Sequence, residues 1–142
     1  MATFNKYECF VENLAEKVHN LGADTLKAAL TNTAPTAASD TVWNSATTAP
    51  PPAAANGYTT GGNTLSVTSS AQTSGTYKLV ITDSVFTASG GSIGPFRYVI
   101  LYNSTASNAV IGYYDYGSSI TLATGETFTI DFDGSNGVLT LA

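Results

Sequence analysis

The sequence has very few of the residues on which enzymes and metal proteins rely. Its 142 residues include one cysteine and one histidine. One cysteine excludes an internal disulfide, and one residue of each type cannot build an ordinary zinc site. Cys9 and His19 would lie about 15 Å apart along one helix, too far to act as a nucleophile and its base. We therefore expect a protein without catalytic residues, metal or cofactor.

Charge is also scarce. Charged residues make up 11% of the chain, less than half of the usual ~25%. The five Lys and Arg residues are scattered, none follows Arg97, and the net charge is −5. Binding to nucleic acid needs a basic patch, so we expect no nucleic-acid partner. No apolar run approaches the ~18 residues of a membrane span. The start "MATFNKYECF" does not read as a signal peptide, so we expect synthesis in a cytoplasm and no membrane partner.

One segment, residues 5–21, has the periodicity of an amphipathic helix. Asn5 and Glu8 would form a capping box at its start, and Gly22 would end it. We expect its apolar stripe to pack on the protein's own sheet, with docking on a neighbouring subunit as the alternative. The stripe consists of Tyr7, Phe10, Val11, Leu14, Val18 and Leu21.

Strand patterns dominate the rest of the chain. Residues 24–32 alternate apolar and polar side chains, and after residue 63 short alternating runs are separated by turn residues at spacings of about ten. The candidate strands there are 64–70, 76–82, 84–88, 96–102, 109–116, 119–122, 126–132 and 137–141. We predict a mainly β protein: an antiparallel β-sandwich or barrel with one N-terminal amphipathic helix.

The strand at 96–102 is apolar on both faces, which predicts a central strand covered on both sides, with the N-terminal helix as one candidate cover. Simple alternation places Val99 and Leu101 on one face. The other face would carry Phe96, Tyr98, Ile100 and Tyr102.

We expect residues 1–142 to form one domain in three parts: a helix and strand at 1–32, an extended arm or long loop at 33–63, and an antiparallel β body at 64–142. The middle part has no clear periodicity, and its proline run favours an extended conformation. It is either a loop packed on its own domain or an arm that lies on another subunit. The contacts of such an arm would be Trp43, Pro50, Pro51, Pro52 and Tyr58.

The ending "FTIDFDGSNGVLTLA" begins like a calcium-binding loop, with Asp131, Asp133 and Ser135 at every second position. An EF-hand would need glycine where Asn136 stands and glutamate where Ala142 stands. The alternation around Phe128, Ile130 and Phe132 instead predicts a terminal β-hairpin that turns at "DGSNG". A weak calcium site of another kind remains the alternative.

Three tyrosines surround an acid in "IGYYDYGS". Strand alternation places Tyr114 and Tyr116 on one face and Tyr113 on the other, with Asp115. Tyrosine is enriched at recognition surfaces, so these rings either pack on the sheet in the ordinary way or contact a partner.

Two stretches together resemble structural proteins of tailed bacteriophages: "FNKYECFVENLAEKVHNLGADTLKAALTNTAP" and "GPFRYVILYNSTASNAVIGYYDYGSSITLATGETFTIDFDGSNGVLTL". The likeness is weakest over residues 36–57. Small β proteins of this type are similar to head decoration, or cement, proteins. The resemblance implies a non-enzymatic protein on the virion's capsid surface that stabilises the lattice. Its partners would be the major capsid protein and copies of itself, as a homo-oligomer such as a trimer.

Tail-associated β modules resemble the sequence at the same level. The alternative function is therefore a tail or fibre module that binds a glycan or protein of the host surface. Tyr113, Tyr114 and Tyr116 would then carry the contact. A folded subunit of a non-viral assembly is a third option.

Overall fold

The computed structural model describes residues 2–44 and 54–142, which form antiparallel strands and one short helix, a mainly β fold as predicted. The elements are β1 (Phe4–Lys6), α1 (Cys9–Ala15), β2 (Leu26–Thr31), β3 (Asn63–Thr64), β4 (Val67–Thr73), β5 (Thr76–Ile81), β6 (Ser84–Thr87), β7 (Ile93–Asn103), β8 (Ala109–Leu122), β9 (Thr127–Ile130) and β10 (Leu139–Leu141).

The strands form three sheets. A five-stranded sheet has the order β1-β8-β7-β2-β3, a three-stranded sheet the order β10-β5-β4, and a third sheet pairs β6 with β9. Every paired strand runs antiparallel to its neighbour. No closed barrel forms within the described ranges, and the arrangement is that of sheets packed face to face, as in a sandwich.

The main core lies between the five-stranded sheet and the two smaller ones. Leu30, Leu101 and Ile111 enter it from the large sheet. Leu79 of β5 and Phe86 of β6 meet them from the other side. All five side chains are almost completely buried, and each such burial contributes about 1.5–3 kcal/mol of transfer free energy.

A second cluster covers the opposite face of the large sheet. It contains Tyr7, Ala29, Trp43, Ile100, Tyr102 and Val110. Strand β7 is therefore central and covered on both faces, as predicted. The cover on this second face includes Trp43 of the long loop, whereas Phe10 of α1 enters the main core.

The face predicted for Phe96 is wrong. It lies in the main core with Val99 and Leu101, not with Ile100 and Tyr102. The β7–β8 register shifts between Phe96 and Tyr98. Two steps along β7, from Phe96 to Tyr98, face five steps along β8, from Ile120 to Asp115. Strict alternation assumes regular pairing and therefore does not hold across this irregular stretch.

Two strands that the sequence predicts separately form one strand across this irregular stretch. Residues 109–116 and 119–122 form one strand, β8, with Gly117 at φ 97° inside it. The sequence pattern places a break at this glycine. The structure instead keeps the pairing with β7 on both sides of it, Tyr98 opposite Asp115 and Phe96 opposite Ile120.

The helix is shorter than predicted. Residues Phe4–Lys6 form β1, which pairs with β8, and α1 ends at Ala15. The backbone N–H groups of Val18 and His19 donate to the carbonyl of Asn13. The left-handed residue that follows the helix is Lys17, at φ 65°, and not Gly22. Part of the predicted stripe remains in water, with Val11 53% exposed. Tertiary contacts of the flanking residues have overridden the local periodicity.

The predicted terminal hairpin is also wrong. Strand β9 pairs with β6, and β10 pairs with β5, so the two last strands belong to different sheets. The loop "DGSNG" therefore crosses from one sheet to another. The alternation itself is confirmed, because Ile130 and Phe132 are buried while Thr129 and Asp131 are exposed.

Candidate functional site: an aromatic cleft and a neutral strand edge

Trp43 is buried against the chain's own sheet. Its ring stacks on Tyr102, with centroids 4.9 Å apart and 12° between the ring planes, and is 8% exposed. The backbone N–H of Trp43 donates to the carbonyl of Asn108 at 2.8 Å, and the backbone N–H of Val110 donates to the carbonyl of Thr41 at 3.1 Å. For this part of the chain the contacts favour the self-packed loop over the arm.

Tyr58 is also buried within its own domain and is 3% exposed. Its hydroxyl accepts the N–H of Leu30 at 3.1 Å, and its ring lies 5.8 Å from Phe86. Trp43 and Tyr58 thus leave little surface for another subunit. The prolines predicted as further contacts, Pro50, Pro51 and Pro52, lie outside the described residues.

The three tyrosines of β8 divide between the two faces as predicted. Tyr113 packs on Tyr7 at 5.3 Å beside the second cluster. Tyr114 packs on Phe4 at 5.6 Å, and Tyr116 meets Phe128 edge-on at 5.8 Å. Tyr116 is 54% exposed, so one of the three rings offers a large surface to a partner.

Tyr114 and Tyr116 line a cleft of about 620 Å³ between the large sheet and β9. Phe4 and Phe128 add two more rings, and Val99, Ile130 and Val138 supply further apolar surface. This volume lies within the roughly 300–1,000 Å³ of small-molecule sites. The sequence alternation identified two of the four rings. The contributions of Phe4 and Phe128 depend on how separate strands pack, which alternation does not report.

Two carboxylates, Asp131 and Asp133, also line the cleft, and no basic side chain of the described chain does. The Asp133 carboxylate accepts the N–H groups of Asn136 at 2.7 Å and Ser135 at 2.8 Å. Hydrogen bonds from Asn136 and Ser135 hold the pKa of Asp133 below its usual range. Asp131 is exposed and makes no hydrogen bond or ion pair with a described residue, so its oxygens are available to a ligand.

An ion pair supports the strand that carries Tyr116. Arg97 donates to both oxygens of Asp115, at 2.7 and 2.8 Å. The N–H of Gly117 donates to the same carboxylate at 2.8 Å. The hydrogen bond from Arg97 is the main cause that lowers the pKa of Asp115. The bulge is thereby fixed at the residues on either side of Tyr116.

Strand β4 is a free edge of the three-stranded sheet. It pairs only with β5 among the described strands, and every residue after Val67 is exposed. Its sequence "VTSSAQT" has no charge and no proline. Natural edge strands are usually protected by lysine, proline, bulges or short length. Here the only such feature is a register irregularity between Val67 and Ser69.

The hairpin turn determines which backbone groups of β4 are free. Ser74 and Gly75 both have positive φ, 51° and 86°, as in the two-residue turns of twisted hairpins. Thr73 and Thr76 then close the ladder as a hydrogen-bonded pair. The N–H and C=O groups of Ser70 and Gln72 consequently point away from β5 and could accept a further strand.

His19 is 6% exposed and belongs to a buried polar group. Asn103 donates to Asp24 at 2.6 Å and lies 3.2 Å from Nδ1 of His19. An Asn103 N–H requires Nδ1 to accept, so the proton is on Nε2, which has no partner. Burial lowers the pKa of His19, and the Asp24 carboxylate acts weakly in the opposite direction. This group holds the loop before β2 to the end of β7.

The described residues offer no group of three or more His, Cys, Asp or Glu side chains that could hold a metal ion. The Cys9 thiol donates to the carbonyl of Asp40 at 3.6 Å, and burial raises its pKa, which disfavours the reactive thiolate. Within the same ranges, the structure has no helix with the length and apolar character of a membrane span.

Comparison with known proteins gives no relative: no protein-family model, no curated protein and no solved structure matches the chain.

Proposed function

We propose that the chain is a non-enzymatic structural protein of a tailed-bacteriophage virion, which binds the capsid lattice from outside and stabilises it. Its partners would be the major capsid protein and further copies of the chain in a homo-oligomer such as a trimer. The likeness of the sequence to decoration proteins suggests this function. The free, uncharged edge of β4 is the structural observation that carries it.

An edge of this kind suits attachment to another protein. A strand added to β4 would pair with the free N–H and C=O groups of Ser70 and Gln72. Because β4 carries no charge, burying it costs little desolvation of side chains. A capsid also repeats the contact many times, so that modest single contacts give strong overall attachment when the chain is oligomeric.

The proposal is tested by placing charges beside the edge. Ser69 and Thr73 lie opposite Val80 and Thr76, on the face of β4 that is turned away from the buried Leu79 and Ile81. The double variant Ser69→Lys/Thr73→Lys keeps the ladder with β5 but places lysines at the approach of an added strand, the protection that natural edges use. We expect its co-sedimentation with capsids that lack the protein to fall at least about tenfold.

The matched control is Ser118→Lys/Thr124→Lys, which adds the same two charges at exposed positions outside β4. It should bind capsids like the unmodified chain, and both variants should retain the circular dichroism of the fold. Equal loss in both variants would indicate a general charge effect. Unchanged binding of the β4 variant would show that this edge is not the contact and would remove the structural support for the proposal.

A further inference from the structure

We propose that the aromatic cleft lined by Tyr114, Tyr116, Phe4, Phe128 and Asp131 is a binding site for a neutral or amino sugar unit of a glycan. The inference is independent of lattice binding, because the cleft and the β4 edge share no residue. It includes two of the three tyrosines that the sequence identified and leaves out Tyr113, whose ring packs on Tyr7.

The aromatic rings of the cleft leave apolar surface that a ligand can cover. Tyr116 is 54% exposed and rests on Phe128 by an edge-to-face contact. A large ring left half in water at the mouth of a cleft retains apolar surface that a ligand can cover. The C–H face of a pyranose ring is a flat apolar surface of matching size, and Tyr114 and Phe4 continue the apolar wall behind it.

Two polar groups of the cleft, one donor and one acceptor, have no partner among the described residues. The Tyr114 hydroxyl makes no hydrogen bond with a described residue, and burial raises its pKa to about 12, so it stays protonated and can donate. The Asp131 carboxylate is likewise without a partner in the described chain and can only accept. A sugar hydroxyl both donates and accepts, so the hydroxyls of a sugar can partner both groups.

Charge limits the class of sugar. Asp131 and Asp133 line the cleft, and no lysine, arginine or histidine among the described residues does. An acidic sugar such as a uronic or sialic acid would bring a third negative charge without a cation to compensate it. A neutral sugar has no such cost, and the ammonium group of an amino sugar would be attracted to Asp131 and to the ring faces.

The test is a titration of the full-length protein with oligosaccharides of three kinds: neutral hexose or N-acetylhexosamine, free hexosamine, and uronic- or sialic-acid-containing chains. Binding would be followed by NMR chemical-shift changes and by calorimetry. We expect binding of the first two kinds and at least about tenfold weaker binding of the acidic chains. Tyr116→Ala should weaken binding about tenfold, and Tyr116→Phe should retain it.

Two further variants make the test specific. Asp131→Asn should reduce binding of the hexosamine more than that of the neutral sugar, because it removes the charge and keeps an acceptor oxygen. Tyr98→Ala removes a tyrosine of β7 that does not line the cleft and should leave binding unchanged. The proposal is overturned if no sugar binds at millimolar concentration, if Tyr116→Ala binds like the unmodified protein, or if only a lysine-rich peptide binds. Capsid binding by Tyr116→Ala should stay intact, so the two proposals fail separately.

Discussion

Replacing Trp43 by alanine tests whether the long loop belongs to its own domain. The side chain is 8% exposed and stacked on Tyr102. A buried aromatic side chain removes about 150–250 Å² from water, which at about 25 cal/mol per Å² corresponds to about 4–6 kcal/mol. That figure is an upper bound, because denatured chains also bury some apolar surface. Large-to-small aromatic changes in cores cost about 3–5 kcal/mol, and we expect about 3–4 kcal/mol here.

The measurement is the free energy of unfolding in urea, followed by circular dichroism because Trp43 is the chain's one tryptophan. Trp43→Phe keeps an aromatic ring against Tyr102 and should lose less than half as much as Trp43→Ala. Val42→Ala alters the exposed neighbouring side chain and should stay within about 0.5 kcal/mol. A Trp43→Ala variant that is as stable as the unmodified protein would refute the packing argument and return Trp43 to the arm hypothesis.

Two further predictions concern the buried polar group and a close backbone contact. Because burial lowers the pKa of His19 from 6.5, the unfolded chain takes up a proton first as the pH falls. The contribution of His19 to stability should therefore be constant above pH 6.5 and fall below it by up to about 1.4 kcal/mol per pH unit. Chemical denaturation should find this slope reduced in His19→Gln, and equal slopes would contradict the assignment. Gly62 has φ 71°, and an added Cβ would lie 1.8 Å from the carbonyl oxygen of Ala28. Gly62→Ala should cost at least about 3 kcal/mol, whereas Gly90→Ala, at φ 79° with nothing within 4 Å, should cost about 1–2 kcal/mol; similar thermal unfolding of the two variants would contradict the clash.

The local pattern of apolar and polar residues is sufficient to predict which side chains share a face where strand pairing is regular. Tyr113 and Tyr114 lie on opposite faces, as simple alternation predicts, because both pair regularly with β7, opposite Ile100 and Val99. The sequence predicts correctly that β7 is central, because apolar residues occupy both of its faces. These predictions need only the period of a strand and the tendency of apolar side chains to be buried.

The failures share a cause outside the local pattern. Phe96 lies on the core face beside a stretch where the β7–β8 pairing is irregular. The last two strands, β9 and β10, pair with β6 and β5 and not with each other. The helix is shorter than predicted because Phe4–Lys6 pairs with β8 as a strand and His19 contacts Asn103 at the end of β7. The cleft could not be predicted for the same reason, since Phe4 and Phe128 are far apart in sequence and meet only when the sheets pack.

The location of the protein in a purified virus particle tests the central claim most directly. Antibodies against the chain, carrying gold labels, would be applied to intact particles of the tailed phage to which the proposal assigns the chain. For a decoration protein we predict label distributed over the capsid surface, and no label on particles assembled with the Ser69→Lys/Thr73→Lys variant. Label confined to the tail, or absent from particles that contain the unmodified chain, would contradict a decoration protein.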